Sequence, residues 1–173
     1  MLLKFAFLGA AGLFALAAPA IAAEAPTDPQ IAHIAYTAGN IDIAQGKQAL
    51  ARSHNRMIRS FAQEMVRDHT AVNDKALALV KKLHVTPEPN PTSAGLQRDA
   101  DATLKRLSRL SGRAYDRAYI DNEVAYHKAV NGAVESTLIP SSKNGELKSL
   151  LEAGLTLFRE HQAHAEQVAK DFK

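Results

Sequence analysis

An all-α fold is predicted for this chain of 173 residues: a four-helix bundle of two antiparallel hairpins joined by a long crossover with a short extra helix. Three observations predict it. After residue 28, apolar residues recur at three- and four-residue steps, and no segment shows the two-residue alternation of a strand bounded by hairpin turns. The first two helical segments are joined by almost nothing, and the last two by a short Pro-Ser-Ser-Lys turn. Between these pairs run nearly thirty residues that include a proline segment no helix accommodates.

The elements follow in order. Asp28-Pro29 reads as an N-cap followed by a first-turn proline, and Ile31, Ile34, Ala35, Ala38, Ile41, Gln45 and Ala49 then recur at helical spacing, so helix one spans about Asp28 to Arg52. Ser53 reads as the cap of helix two, whose stripe is Ile58, Phe61, Ala62, Met65, Val72, Ala76, Val80 and Leu83, ending near His84. Thr86 to Thr92 carries Pro87, Pro89 and Pro91 and reads as extended. Ser93 starts a shorter helix to about Leu110, which Ser111-Gly112 interrupts. Helix three runs from about Arg113 to Ile139, stopped by Pro140, and helix four from about Ser142 to Phe172. Two hairpins with one long crossover is the ferritin-like arrangement, in which metal sites are built from inward-facing side chains.

The N-terminus reads as a secretory signal. Met1 to Lys4 is a short positive start, Phe5 to Ala18 is rich in Ala, Leu, Phe and Gly, and Ala20-Ile21-Ala22 has the small-x-small pattern of a cleavage site. Cleavage after residue 22 leaves one bundle domain, 23–173, in the periplasm, and the Ala-rich run is shorter than a spanning helix requires. The chain has no cysteine, which excludes disulfides, thiolate chemistry and Cys-based zinc sites, so any metal is held by nitrogen and oxygen. Loss of Lys4 lowers the formal charge from +3 to +2, too small an excess to argue for nucleic acid. Arg98, Lys105, Arg106, Arg109, Arg113 and Arg117 cluster around the crossover; they read as a solvated face, or as a contact for an anionic surface or an acidic envelope partner.

Three histidines on three helices carry the functional lead. His69, His127 and His161 each fall on the apolar stripe of their helix, flanked on helix two by Asp68 and on helix three by Glu123 one turn earlier. Helix one offers Asp42 on its own stripe, and His164 follows His161 by one turn on a neighbouring edge. A mononuclear site of His69, His127 and His161, completed by Asp42 or Glu123, fits this pattern. The Glu-x-x-His pair of two-metal carboxylate bundles is missing, and Glu64 with His69 at a five-residue step does not face one ion. Counting the rise from each hairpin turn places Asp42 and His69 several ångströms apart in height, and His127 and His161 likewise, which argues against one ligand layer. His33, His54 and His84 read as surface, and Tyr36, Tyr115, Tyr119 and Tyr126 as packing.

The segment from Phe61 through Met65, Val66, Asp68 and His69, then Tyr115-Asp116-Arg117-Ala118-Tyr119-Ile120 leading to His127, then His161, resembles the bacterial domain of unknown function family 4142. The resemblance covers nearly the whole mature chain. It implies a secreted, ferritin-like bundle and marks Asp68, His69, His127 and His161 as the family's polar positions. In helix one, where that resemblance leads one to expect Glu-x-x-Leu-Gly, the chain reads Asp42-Ile43-Ala44-Gln45-Gly46, with a shorter acid. Two functions stand at this point. One is a periplasmic bundle holding iron, manganese, zinc or copper for metal buffering or oxidant handling. The other is a non-catalytic envelope stress or interaction protein whose histidines are structural. No nucleophile with an adjacent base is visible, since Ser93, Ser111 and Ser142 read as caps or turns.

Overall fold

The computed structural model describes residues 24–172, so the expected signal sequence at 1–22 lies outside the described residues. Thr27 opens α1 (Asp28–Arg52), its amide donating to Gln30 Oε1 at 3.1 Å. Asp28, expected at the cap, lies in the first turn with Pro29. Its carboxylate is drawn away to the amides of Lys143 and Asn144, both at 2.8 Å, and so ties the start of α1 to the final hairpin turn. Ser53 likewise closes α1 rather than opening the next helix. Asn55 opens α2 (Arg56–Lys82), because its Oδ1 accepts from the amides of Met57 and Ile58 at 2.9 and 3.3 Å.

The extended connection ends two residues sooner than its prolines imply. Asn90 caps α3 (Pro91–Leu107) with Oδ1 on the Ser93 amide at 3.0 Å, and Pro91 fits the first turn, where its missing N–H is no loss. Ser111 precedes α4 (Gly112–Ala133), and Gly112 takes a φ of 55° that favours glycine. Pro140 does not stop this helix. A wide π turn, Val134–Leu138, leads into one further turn, α5 (Ile139–Ser141). The amide of Ile139 bonds Val134 O, one residue farther back than in an α-helix, so the ladder is already displaced on reaching the residue without an N–H. Asn144 then caps α6 (Gly145–Asp171) through the amides of Glu146 and Leu147.

The helices pack as a square. The α1–α2 hairpin and the α4–α6 hairpin lie side by side, with α2 against α6 and α1 against α4, while α3 lies on α1 and touches α4. Gln48 Nε2 donates to Leu104 O at 3.0 Å and Arg52 to Ser108 O, fastening the end of the crossover. The basic residues around the crossover are all exposed. No strand occurs among the described residues, and none of their helices is long and apolar enough to cross a membrane.

Two apolar clusters form the core, one toward each end of the bundle. The first, near the α1–α2 turn, is built on Ile58, Phe61, Met65, Leu107, Tyr115, Tyr119, Ile120 and Phe172. The second, at the opposite end, is built on Ile31, Ile34, Val134, Leu138, Leu147, Leu151 and Leu155. Between the two stretches of chain that supply them fall Asp42, His69, Glu123, His127 and His161, all buried. Such a group is costly in a core unless its polar atoms find partners.

Candidate metal centre

Each of the four bundle helices sends a polar side chain into this group. Asp42 comes from α1, His69 from α2, Glu123 and His127 from α4, and His161 from α6. The three imidazoles stand with ring centroids 5.3 to 5.7 Å apart, and His69 lies flat on Phe158 at 4.8 Å and 10°. One ligand-type nitrogen from each of His69, His127 and His161 lies within 4.8 Å of the others. Asp42, Glu123 and His127 meet the same criterion, so His127 belongs to both sets.

The expected separation in height does not occur. Asp42 Oδ2 is 3.0 Å from His69 Nε2 and 3.3 Å from His127 Nε2. Counting the rise alone ignores the tilt of helical side chains toward their own N-terminus. In α1 that tilt carries Asp42 away from the hairpin turn, and in α2 it carries His69 back toward the turn, so their tips converge. His127 and His161 meet across the second hairpin for the same reason.

These atoms are close without being bonded to one another. Both oxygens of Asp42 and of Glu123, both nitrogens of His69, His127 Nε2 and His161 Nδ1 are buried with no hydrogen-bond partner of acceptable geometry. The other nitrogen of His127 is held, with Nδ1 3.1 Å from Glu123 O, which fixes the ring and leaves Nε2 facing Asp42. Burial pushes the His127 and His161 imidazoles below their ordinary range, toward the neutral form that ligates metals. Burial by itself raises the Asp42 carboxyl, but His69, then His127 and His161, outweigh it and hold it below the usual carboxylate range. Burial, then the neighbouring Asp42, pushes Glu123 well up.

A second cluster lies toward the surface between α2 and α6. Asp68 Oδ2 is 3.1 Å from His161 Nε2, and Glu64 Oε2 is 2.7 Å from His164 Nδ1. Arg67 also grips Asp68, at 2.7 and 3.0 Å, and with His161 it holds that carboxyl low against its burial. Glu64, Asp68 and His161 form a third set of ligand-type atoms within 4.8 Å, but this one is half-exposed and its pairs are complete.

The family profile described as Domain of unknown function (DUF4142) matches residues 14–168. The chain belongs to this family. The crystal structure of a DUF305 protein from Streptomyces coelicolor, described as secreted, is similar with a TM-score of 0.68 over 83% of this chain and 91% of its own. Its sequence identity of 10% makes that likeness one of fold alone. No curated protein matches the chain.

Within the DUF4142 chain, the residues singled out from the sequence divide between the two clusters. Asp42, His69, Glu123, His127 and His161 meet in the centre, whereas Asp68 touches only the outer nitrogen of His161 and His164 stands off on Glu64. Glu64 does not face His69, in keeping with their five-residue step, and pairs across the helix interface instead. Its place was signalled by Glu64 and Asp68 one turn apart on α2 opposite His161 and His164 one turn apart on α6. Of the three histidines read as surface, His54 and His84 are exposed and His33 is half-buried, with Nδ1 3.4 Å from Thr37 Oγ1. Tyr126 donates to Ala38 O at 2.9 Å, and Tyr115 and Tyr119 stack in the first apolar cluster. The central group offers two overlapping donor sets joined at His127, one of three imidazoles and one of two carboxylates with an imidazole, and nitrogen and oxygen donors of this kind suit a first-row transition metal.

Proposed function

We propose that this DUF4142 protein is an exported bundle that holds one transition-metal ion through His69, His127, His161 and Asp42, with Glu123 as an adjoining carboxylate. The observation that carries this reading is the crowding of five buried polar side chains, most of whose nitrogens and oxygens find no hydrogen-bond partner of good geometry although Asp42 lies 3.0 Å from His69 and 3.3 Å from His127. Native cores leave only a few such groups per hundred residues without a partner, rarely gathered in one place, and an ion among these would satisfy them together. The imidazole-rich set favours iron, manganese, zinc or copper over magnesium or calcium. The protein then serves metal buffering or oxidant handling in the periplasm. Support for export comes from Ala20-Ile21-Ala22 and from a similar fold in a protein described as secreted. Cleavage there leaves residues 23–173 as a single bundle domain.

The completed pairs His161–Asp68 and His164–Glu64 favour a second reading, in which the histidines are structural and the bundle is an envelope interaction protein. Elemental analysis separates the two. The protein is purified without tags or chelators beside a His127→Ala variant, with helix content followed by circular dichroism. Near-stoichiometric metal in the wild type, lost in a variant that keeps its helices, supports the metal site. Protein that holds no metal and takes up none of the four when offered supports the structural reading.

A further inference from the structure

A cavity of about 690 Å³ runs through the half of the bundle that holds the second apolar cluster, and one end of it is formed by Asp42, His69 and His127. Small side chains create it. Ala35 and Ala38 on α1, Ala76 on α2 and Gly154 on α6 stand where a tightly packed bundle carries larger residues, and the exposed Ala129 and Ala133 of α4 border the same space. On α2 no residue beyond Asn73 is buried, although Ala76 and Val80 face this space. The α1 lining alone, Ala32 to Asp42, gives a length of about 15 Å. Exposed Thr92 and Thr137 lie on the lining, so solvent reaches it.

A space walled by methyl groups is a poor container for water, each molecule of which needs two to four polar partners. Its size is that of a small-molecule pocket, and among the described residues its only concentration of unpartnered polar atoms is the Asp42–His69–His127 end. We infer that this cavity binds an aliphatic monocarboxylate, its chain along the small-residue wall and its carboxylate on the metal held by His69, His127, His161 and Asp42. The inference rests on the metal-site reading: a metal ion supplies the positive charge that a carboxylate head needs beside Asp42. Without the ion, the carboxylates there would repel such a head and accept an alkylammonium instead.

The test is calorimetric titration of the zinc-loaded mature protein with hexanoate, octanoate, decanoate and dodecanoate below their micelle concentrations, repeated after chelation and with Ala76→Leu. Zinc content is measured in every sample. The expected result is affinity rising by about fourfold per methylene until the cavity is full. Chelation abolishes it, and Ala76→Leu weakens decanoate binding at least tenfold with zinc content unchanged. A second variant, Ala38→Leu, narrows the same space from α1 and repeats the measurement should Ala76→Leu fail to fold. Zinc retained with no chain-length dependence overturns the cavity assignment and leaves the metal site standing. Carboxylate binding that persists without zinc overturns the placement of the head, as does tighter binding of dodecylamine to the chelated protein. Failure to take up zinc at all overturns this inference together with the metal reading.

Discussion

Glu123→Gln separates a buried carboxylic acid from a metal-bound carboxylate. The Glu123 side chain is fully buried, neither oxygen has a hydrogen-bond partner, and burial, then Asp42, push its pKa well above 4.5. Without metal, the folded chain therefore holds a proton that the unfolded chain has released. The stability this contributes is complete below about pH 4.5 and is lost as pH rises toward the folded value. One proton of difference is worth about 1.4 kcal/mol per pH unit, so wild-type protein loses stability at up to this slope wherever the folded Glu123 is still protonated and the unfolded one is not. The glutamine variant has no such linkage. His127 and His161 have lowered values and draw stability down as pH falls below about 6.5 in both proteins, and this contribution is nearly common to the two while Glu123 is neutral. Thermal unfolding with chelator present should show the variant gaining on wild type as pH rises above 5, by up to roughly 3–6 °C of Tm per pH unit for a chain of this size. With saturating zinc the gain shrinks or reverses, because the positive ion beside Glu123 now stabilises the wild-type carboxylate. Parallel pH curves for the two chelated proteins would refute the reasoning, since they would show Glu123 ionised in the fold throughout.

Two predictions test the frame around the centre. A Cβ on Gly39 would stand 2.3 Å from Asn73 Oδ1, so Gly39→Ala must displace Asn73 from its 2.9 Å bond with Asn40. Overpacking of about 1–3 kcal/mol outweighs the helical gain of up to about 1 kcal/mol, and thermal melting should show net destabilisation. Asn55→Ala removes the acceptor of two amides at the start of α2 and should cost about 1 kcal/mol in chemical denaturation, with metal affinity unchanged.

Much of this was legible in the chain because periodicity and punctuation act locally. Helix one was readable to within a residue at both ends, and the inward placement of His69, His127 and His161 followed from each lying on its stripe, although the height count argued against their meeting in one layer. What failed to show depends on geometry that a pattern of apolar and polar letters discards. Rise per residue gave the heights of Asp42 and His69 but not the opposed tilts that bring them to 3.0 Å. Pro140 signalled a stop because a regular ladder has no place for it, and the π turn before it has no comparable sequence mark. The cavity was hidden for a similar reason: Ala38, Ala76 and Leu83 count alike in a stripe, although only the first two leave room. Ser53 and Asn55 are equally good caps on paper, and the two-residue choice between them was settled by which oxygen reaches the α2 amides.

The division of the bundle into a packed half and a cavity half leads to a prediction about dynamics. In the packed half, Ile58, Phe61, Ala62 and Met65 are wholly buried. Beyond Asn73, α2 rests only half-covered on the cavity wall, and α6 faces it through Leu147, Leu150, Leu151 and Gly154. Few apolar contacts mean cheap local opening, so without metal the amides of residues 74–82 and 148–155 should exchange faster than those of 58–65. A gap of at least about tenfold corresponds to about 1.4 kcal/mol. An ion held by Asp42, His69, His127 and His161 joins all four helices at the floor of the cavity. Saturating zinc should therefore slow exchange in the cavity half by a larger factor than in the packed half, because local opening there pulls His69 and His161 off the ion. Equal slowing in both halves would mean that metal acts only on global unfolding, and equal rates before metal is added would show that the cavity does not loosen the helices around it.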